Sequence, residues 1–352
     1  MKCAKCGNAL QAGERFCGEC GTPVTVVTPP PIAVPPAIAP DWVRQGVTPP
    51  PVMPPPPPPA ASSRRGLFLG IGGVAIASGL TYLVTRSPWK VVAGKSGGGD
   101  GAIGSGAGEF NVPGGIAVDG NGAVWVSDSD NHRIQVRDPD GRWRVAGGKA
   151  GGGDGAIGTG AGEFWYPGGI AVDGSGAVWV TEQGNHRIQV RDPDGRWRVE
   201  GGKAGGGDGA IGSGAGEFNV PVGIAVDGNG AVWVTDADNH RIQVRDPDGR
   251  WRVAGGKAGG GDGAIGTGAG EFSSPCAIAV GGNGAVWVAD SDNHRIQVRE
   301  PDGRWTVAGG GDGESGRGAG EFDRPNDIAV DGNGAVWVAD TDNHRIQRYG
   351  VG

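Results

Sequence analysis

The sequence predicts an all-β β-propeller of five four-stranded blades, preceded by a small metal-binding module and one membrane-spanning helix. Three observations carry the propeller. Histidines recur at 132, 186, 240, 294 and 344, spaced by 54, 54, 54 and 50 residues, each inside Asn-His-Arg-Ile-Gln. Tryptophans recur at 89, 143, 197, 251 and 305. Between these marks lie short alternating apolar runs set off by turn residues, with no helical periodicity. A repeat of this length is one supersecondary unit stacked on its neighbours.

Composition divides the 352 residues into unlike parts, for most of the 26 prolines precede residue 60 and most of the 75 glycines follow residue 90. Residues 1–86 carry seven Lys and Arg against three Asp and Glu; residues 87–352 carry 24 against 35, a net charge of −11. Phosphate binding needs a clustered excess of Lys and Arg, so a broad nucleic-acid surface on the large part is not expected. Four of the five cysteines fall in the first 20 residues, which excludes a disulfide-stapled fold.

The first element, residues 1–22, holds Cys3, Cys6, Cys17 and Cys20 as two CxxC pairs, with Gly7 and Gly21 directly after the second cysteine of each. That spacing places four thiolates tetrahedrally around one zinc, and the glycines permit the turns that wrap backbone around the sulfurs. Two disulfides or unpaired thiols are the competing reading. Four protein ligands leave no open coordination position, so the zinc is structural, and in so short a segment it supplies most of the folding energy. The two knuckles resemble the short zinc-ribbon domains found at the ends of many prokaryotic membrane proteins.

Residues 23–63 form a proline-rich linker ending in six consecutive prolines from Pro54. It reads as a polyproline II spacer, with a docking site for a proline-binding module as the alternative. Residues 64–86 read as a transmembrane signal anchor, because Gly66 to Thr85 is uncharged and long enough to cross the hydrocarbon core. Arg64 and Arg65 precede it and Arg86 and Lys90 follow, an asymmetry that barely decides orientation. A thiolate zinc site prefers a reducing compartment, which adds weight to a cytoplasmic N-terminus and an extracytoplasmic repeat domain at the cell membrane.

Residues 87–352 are the repeats. In the first, Ile116 to Val118 is an apolar run, Asp119 to Gly122 a turn, Ala123 to Ser127 an alternating strand around Trp125, and His132 to Arg137 a third strand. Asp138-Pro139-Asp140-Gly141 places the residues a type I turn wants, and Trp143 to Ala146 follows as the fourth. The last repeat stops after its third strand, and Trp89 to Val92 is the expected partner that closes the ring by pairing N- and C-terminal strands.

The motifs Pro-x-Gly-Ile-Ala-Val-Asp, Val-Trp-Val-x-Asp and Asp-Asn-His-Arg-Ile-Gln-Val, as they stand in Pro113 to Val136, resemble the NHL repeat, five times over residues 89–349. The resemblance implies a propeller, usually of six blades, that binds proteins or RNA and serves as an extracytoplasmic sensor in some receptor kinases. The acidic balance and the outward topology both oppose RNA here. Val178 to Gly184 also resembles a stretch of streptogramin lyases, which keeps a lyase or hydrolase as the alternative function.

Catalysis normally needs a non-repeating acid, base or metal cluster, and all five histidines belong to the repeat, so the protein is read as a binding protein and not an enzyme. The regular tryptophans read as packing between blades, the histidines as hydrogen-bonding partners of the neighbouring Asp or Arg, and Cys276 as a buried thiol. The aspartates of the Gly-Gly-Asp-Gly loops show no dedicated calcium ligand set. Side chains that break the repeat symmetry are the ligand candidates: Trp165, Tyr166, Gln183, Arg324, Asn326 and Asp327. Neutral variation of exposed loops is the competing reading. The expected partners are a protein or glycan ligand for the propeller, the membrane, and a cytoplasmic protein for the zinc ribbon.

Overall fold

A computed structural model describes residues 91–95, 102–149, 155–203, 209–257, 263–311 and 313–350. The chain divides into two compact units, Met1–Val84 and Thr85–Gly352. The expected zinc ligands, the proline-rich linker, the apolar stretch at 64–86 and the aspartates of the Gly-Gly-Asp-Gly loops all lie outside the described residues. No helix of the described residues is long and apolar enough to cross a membrane.

The second unit is a propeller of five antiparallel sheets. Blade one is β1 (Pro113–Val118), β2 (Val124–Asp128), β3 (Arg133–Arg137) and β4 (Trp143–Gly147); blade two is β5 (Pro167–Val172), β6 (Val178–Glu182), β7 (Arg187–Arg191) and β8 (Trp197–Gly201). Blade three is β9 (Pro221–Val226), β10 (Val232–Asp236), β11 (Arg241–Arg245) and β12 (Trp251–Gly255); blade four is β13 (Pro275–Val280), β14 (Val286–Asp290), β15 (Arg295–Arg299) and β16 (Trp305–Gly310). Blade five has β17 (Pro325–Val330), β18 (Val336–Asp340) and β19 (Arg345–Tyr349).

Each meander turns where the side chains make it turn. Asp119 Oδ1 accepts the N–H groups of Asn121 and Ala123, and its Oδ2 accepts Trp125 Nε1 at 3.1 Å, so one carboxylate shapes the first turn and anchors the indole of the next strand. Gly141 closes the type I turn onto the Asp138 carbonyl at 2.8 Å, at φ +95°.

The core lies between blades. Trp125, Ile134 and Val136 of blade one are buried against Phe164, Ile170, Val178 and Val180 of blade two, and the same set recurs at the next two junctions. The fourth junction is varied, with Ala277, Ala289 and Ile296 against Phe322, Ile328, Val336 and Val338. Each fully buried side chain of this size contributes about 1.5–3 kcal/mol. The guanidinium of Arg191 lies 5.3 Å over the Trp125 ring, and Arg245 and Arg299 repeat the stack on Trp179 and Trp233.

Two details differ from the sequence expectation. The inner strands begin at the proline, three residues before the apolar run, because an irregular register spans Pro113 and Gly115 and glycines show no alternation. The histidine is not the first residue of strand three. It ends a 3-10 turn, Ser129–Asn131 in blade one, in the left-handed region at φ 52°.

The fifth sheet has three strands among the described residues, and its edge strand β19 pairs only with β18. Val91 and Val92 carry no strand, and Trp89 and Lys90 lie outside the described residues, so among the described residues no fourth strand pairs with β19. The two ends of the array are open accordingly: Ile116 is 70% exposed on blade one and Ile346 66% on blade five, where their counterparts within the array are buried.

Candidate functional site

The repeated Asn-His-Arg-Ile-Gln motif proves to be a clamp. In blade one the buried Asp128 carboxylate accepts Arg133 Nε at 2.7 Å, Gln135 Nε2 at 3.0 Å, Asn131 Nδ2 at 3.0 Å and the Asn111 N–H at 2.7 Å. Gln135 then holds the glycine-rich loop at both ends of its amide, donating to the Glu109 carbonyl and accepting from the Gly108 N–H. A loop with so little apolar side chain is thus fixed by buried polar groups that satisfy one another. Blade two keeps the arrangement with Glu182 in place of the aspartate, 2.5 Å from Arg187.

The histidine tautomer is fixed by the next blade. His132 Nδ1 accepts the Tyr166 N–H at 3.2 Å, and His186, His240 and His294 accept from Val220, Ser274 and Arg324 at 3.0, 2.9 and 3.2 Å. Sequence spacing points to the neighbouring Asp or Arg; the partner is instead a backbone group 30 or 34 residues away, and His294 Nδ1 also lies 3.1 Å from Asp323 Oδ1. Burial holds the His132 and His186 imidazoles below their usual pKa, consistent with neutral acceptors.

The five inner strands surround a cavity of about 540 Å³ lined from every blade. They approach one another closely on one side: a Cβ added at Gly115 would meet the Gly168 carbonyl oxygen at 2.6 Å, and one at Gly169 would meet that of Val222 at 2.6 Å. Glycine is therefore required at both positions. At the equivalent place blade five carries Asp327, so the cavity has a glycine wall and, opposite the repeat pattern, a carboxylate.

Three of the six sequence candidates, Gln183, Asn326 and Asp327, line this cavity together. Gln183 reaches over Gly168, whose Cβ would sit 2.8 Å from the Gln183 amide nitrogen. Asn326 and Asp327 are exposed, and Asp327 Oδ1 accepts the Ile328 N–H at 2.8 Å. Tyr166 and Arg324 occupy equivalent positions before the inner-strand prolines, both at positive φ, with Tyr166 set edge-on to the His132 ring at 4.8 Å and Arg324 Nε 3.9 Å from Asp292.

Trp165 is half-buried and packs flat over Gly184. A Cβ at 184 would lie 2.4 Å from the indole, and the other four blades have aspartate there. The two replacements therefore need each other. Trp165 stands out in the sequence by itself; Gly184, which departs from Asp-Asn-His, is the paired signal.

Cys276, expected to be a buried thiol, is half-buried and lines the cavity beside the candidate residues. Its Sγ lies 2.7 Å from Ser291 Oγ, and burial pushes the thiol up to about 11, which keeps it protonated and weakly nucleophilic at neutral pH. Among the described residues no three His, Cys, Asp or Glu side chains are grouped to hold a metal ion.

Fold and cavity together define a β-propeller with an asymmetric central channel. The NHL repeat family matches the chain at residues 110–136, 164–190, 218–244, 272–298 and 322–349, and the zinc-ribbon domain family matches residues 2–24. It is 30% identical over 144 residues to Protein brain tumor of Drosophila melanogaster, covering 40% of this chain and 12% of that protein. Among solved structures, a chain of the Nidogen/Laminin complex is 18% identical, with a TM-score of 0.50 over 68% of this chain and 76% of that one. Virginiamycin B lyase from Staphylococcus aureus is 19% identical, with a TM-score of 0.45 over 68% and 70% of the two chains. At these identities the structural likeness concerns the fold alone.

Proposed function

We propose that this protein is a membrane-anchored binding or sensing protein, whose propeller lies outside the cytoplasm and takes a protein or glycan ligand at the channel and its rim. One observation carries the reading: Gln183, Asn326 and Asp327, drawn from two blades and each a departure from the repeat, converge on one cavity of about 540 Å³. That volume falls within the range of small-ligand and side-chain pockets. Neutral variation would not be expected to gather three polar departures on one cavity, nor to pair Trp165 with Gly184.

A binding role, with no catalysis, fits the state of the titratable groups. Four histidines are committed to backbone N–H groups, the Cys276 thiol is protonated, and the buried acids are tied to arginine. The apolar stretch at 64–86 supplies the anchor, with the N-terminus cytoplasmic. Cys3, Cys6, Cys17 and Cys20 hold a structural zinc, and their four thiolates match the tetrahedral soft-donor set that zinc prefers. The ribbon offers a surface to a cytoplasmic protein.

The test is a glycan array and a peptide array probed with the full chain in detergent, alongside Asp327→Asn, Gln183→Ala and Arg324→Ala. Hits of the unaltered chain should weaken about tenfold or more with Asp327→Asn, the cost of about 1.4 kcal/mol in one charge-assisted hydrogen bond. Unchanged binding in all three variants would sink this choice of site.

A further inference from the structure

We infer that the propeller carries two carboxylate-binding sites on its outer wall, between Arg144 and Arg191 at the first blade junction and between Arg252 and Arg299 at the third. The second junction shows such a site filled from within the chain. There Glu200, in outer strand β8, reaches across to blade three: Arg245 Nε donates to its Oε1 at 2.6 Å, Arg245 Nη2 pairs with the same oxygen, and Arg198 Nη1 holds Oε2. One carboxylate thus joins two guanidinium groups, one from each blade, and its side chain is only 12% exposed. Two oxygens held by planar guanidinium donors form the geometry in which arginine binds carboxylates best.

The same arginines recur without the carboxylate. Arg144 and Arg252 occupy the position of Arg198, and Arg191 and Arg299 that of Arg245, but Ala146 and Ala254 stand where Glu200 does. The strand-three guanidinium keeps its place all the same: Arg191 and Arg299 lie 5.3 Å over Trp125 and Trp233, as Arg245 lies 5.3 Å over Trp179. The backbone keeps its place as well, since the carbonyls of Ala146, Glu200 and Ala254 accept the indole N–H groups of Trp197, Trp251 and Trp305 at 3.0, 3.1 and 2.9 Å. What differs is satisfaction. The Nε groups of Arg191 and Arg299 are buried and have no hydrogen-bond partner among the described residues, whereas Arg245 Nε has Glu200. An unpaired buried donor on a charged group is unfavourable, and an incoming carboxylate relieves it without any rearrangement of the arginine.

Neighbouring acids do not fill the gap. Asp138 holds Arg144 at 3.2 Å and Asp246 holds Arg252 at 3.0 Å, but Asp192 holds Arg198 at 3.3 Å in the same way beside Glu200. Burial, followed by the like charge of Arg144 and Arg252, pushes the Arg191 and Arg299 guanidinium groups below the usual arginine range, against the pull of Asp194 and Asp302. The fourth junction gives up the arrangement as a whole. Thr306 and Tyr349 replace the two arginines, and the Tyr349 ring packs 5.4 Å from Trp287. Because the arginine pairs lie on the third and fourth strands of their blades and the channel is lined by the first, these sites do not depend on the channel ligand, and either reading can fail without the other.

The test is nuclear magnetic resonance of the arginine Nε–H groups in the full chain in detergent, with the signals of Arg191, Arg245 and Arg299 assigned by single Arg→Lys variants. As sodium acetate replaces sodium chloride at constant ionic strength, the Arg191 and Arg299 signals should move saturably towards the position of Arg245, which should stay still. Ala146→Glu with Ala254→Glu should place both signals there without acetate and abolish the response. Glu200→Ala should make Arg245 respond as the other two do. Sodium sulfate and sodium phosphate, run in parallel, separate carboxylate shape from charge, and an equal or stronger response to either would overturn the assignment to carboxylates. Immobile Arg191 and Arg299 signals, a shift that rises without saturating as bulk screening would, or an undiminished shift in the doubly substituted chain would overturn the sites themselves.

Discussion

Arg295 and Asp290 are both withdrawn from water, with side-chain exposures of 1% and 0%, and their contact at 2.8 Å is one of several that bind the carboxylate. Asn293, Gln297 and the Ser273 N–H donate to it as well. Burial pushes the Asp290 carboxyl upward against these donors. The copy in blade five differs only in surroundings. Arg345 is 31% exposed, and although burial still pushes up on Asp340, the Asp323 N–H, Arg345, Asn343 and Gln347 hold it below the ordinary value. Removing one partner of a buried pair costs about 3–5 kcal/mol, because the other charge is left uncompensated. Asp290→Ala should therefore shift the urea midpoint well beyond Asp340→Ala, whose arginine can turn to water. Replacing both partners, as Asp290→Leu with Arg295→Met, should recover part of the loss, and equal shifts for the two single variants would contradict this account.

At the scale of the blade, the junction is held by an apolar seam inside and by histidine-to-backbone bonds at the loop end. The seam was legible in the sequence. Trp125, Ile134 and Val136 alternate as half-buried strands should, and the turn residues between them left little choice of register. The inner-strand starts were not legible, since Pro113-Gly114-Gly115 has no alternation to read. The histidine contacts were hidden for a different reason, because their partners belong to the following repeat. Of the candidate site, sequence asymmetry names Gln183, Asn326 and Asp327, which line the cavity, but does not separate them from Trp165, which covers Gly184.

The histidine bonds carry a pH dependence. The folded-state pKa of His132 and His186 lies below the unfolded value of 6.5, chiefly through desolvation. The unfolded chain binds the proton more readily, so this contribution is complete above about pH 6.5 and is lost as pH falls through the folded values. Thermal midpoints should drop between pH 7.5 and pH 5. His186→Gln keeps a side-chain acceptor that does not titrate and should flatten part of that slope; an unchanged slope would show that the junction histidines do not set it.

For the molecule as a whole, the propeller and the zinc-ribbon segment should draw stability from different sources. The propeller buries Trp125, Trp179 and Trp233 with phenylalanines and branched residues between blades, and its stability is the sum of blades and junctions. The segment matched as a zinc ribbon has only Leu10, Phe16 and Val24 as large apolar side chains, so under the proposed zinc site its folding free energy is chiefly the binding free energy of the metal. The two should therefore come apart under chelation. A strong zinc chelator should release one zinc per chain and make four thiols reactive to a disulfide reagent, while the propeller keeps its unfolding transition. Tryptophan fluorescence reports that transition cleanly, because Trp42 is the only one of the twelve tryptophans ahead of residue 87. A matching fall in the propeller midpoint on chelation would mean that the ribbon and the blades do not fold independently. Failure to release any zinc, with Cys3, Cys6, Cys17 and Cys20 already linked as disulfides, would remove the metal from the account and place the N-terminus in an oxidising compartment.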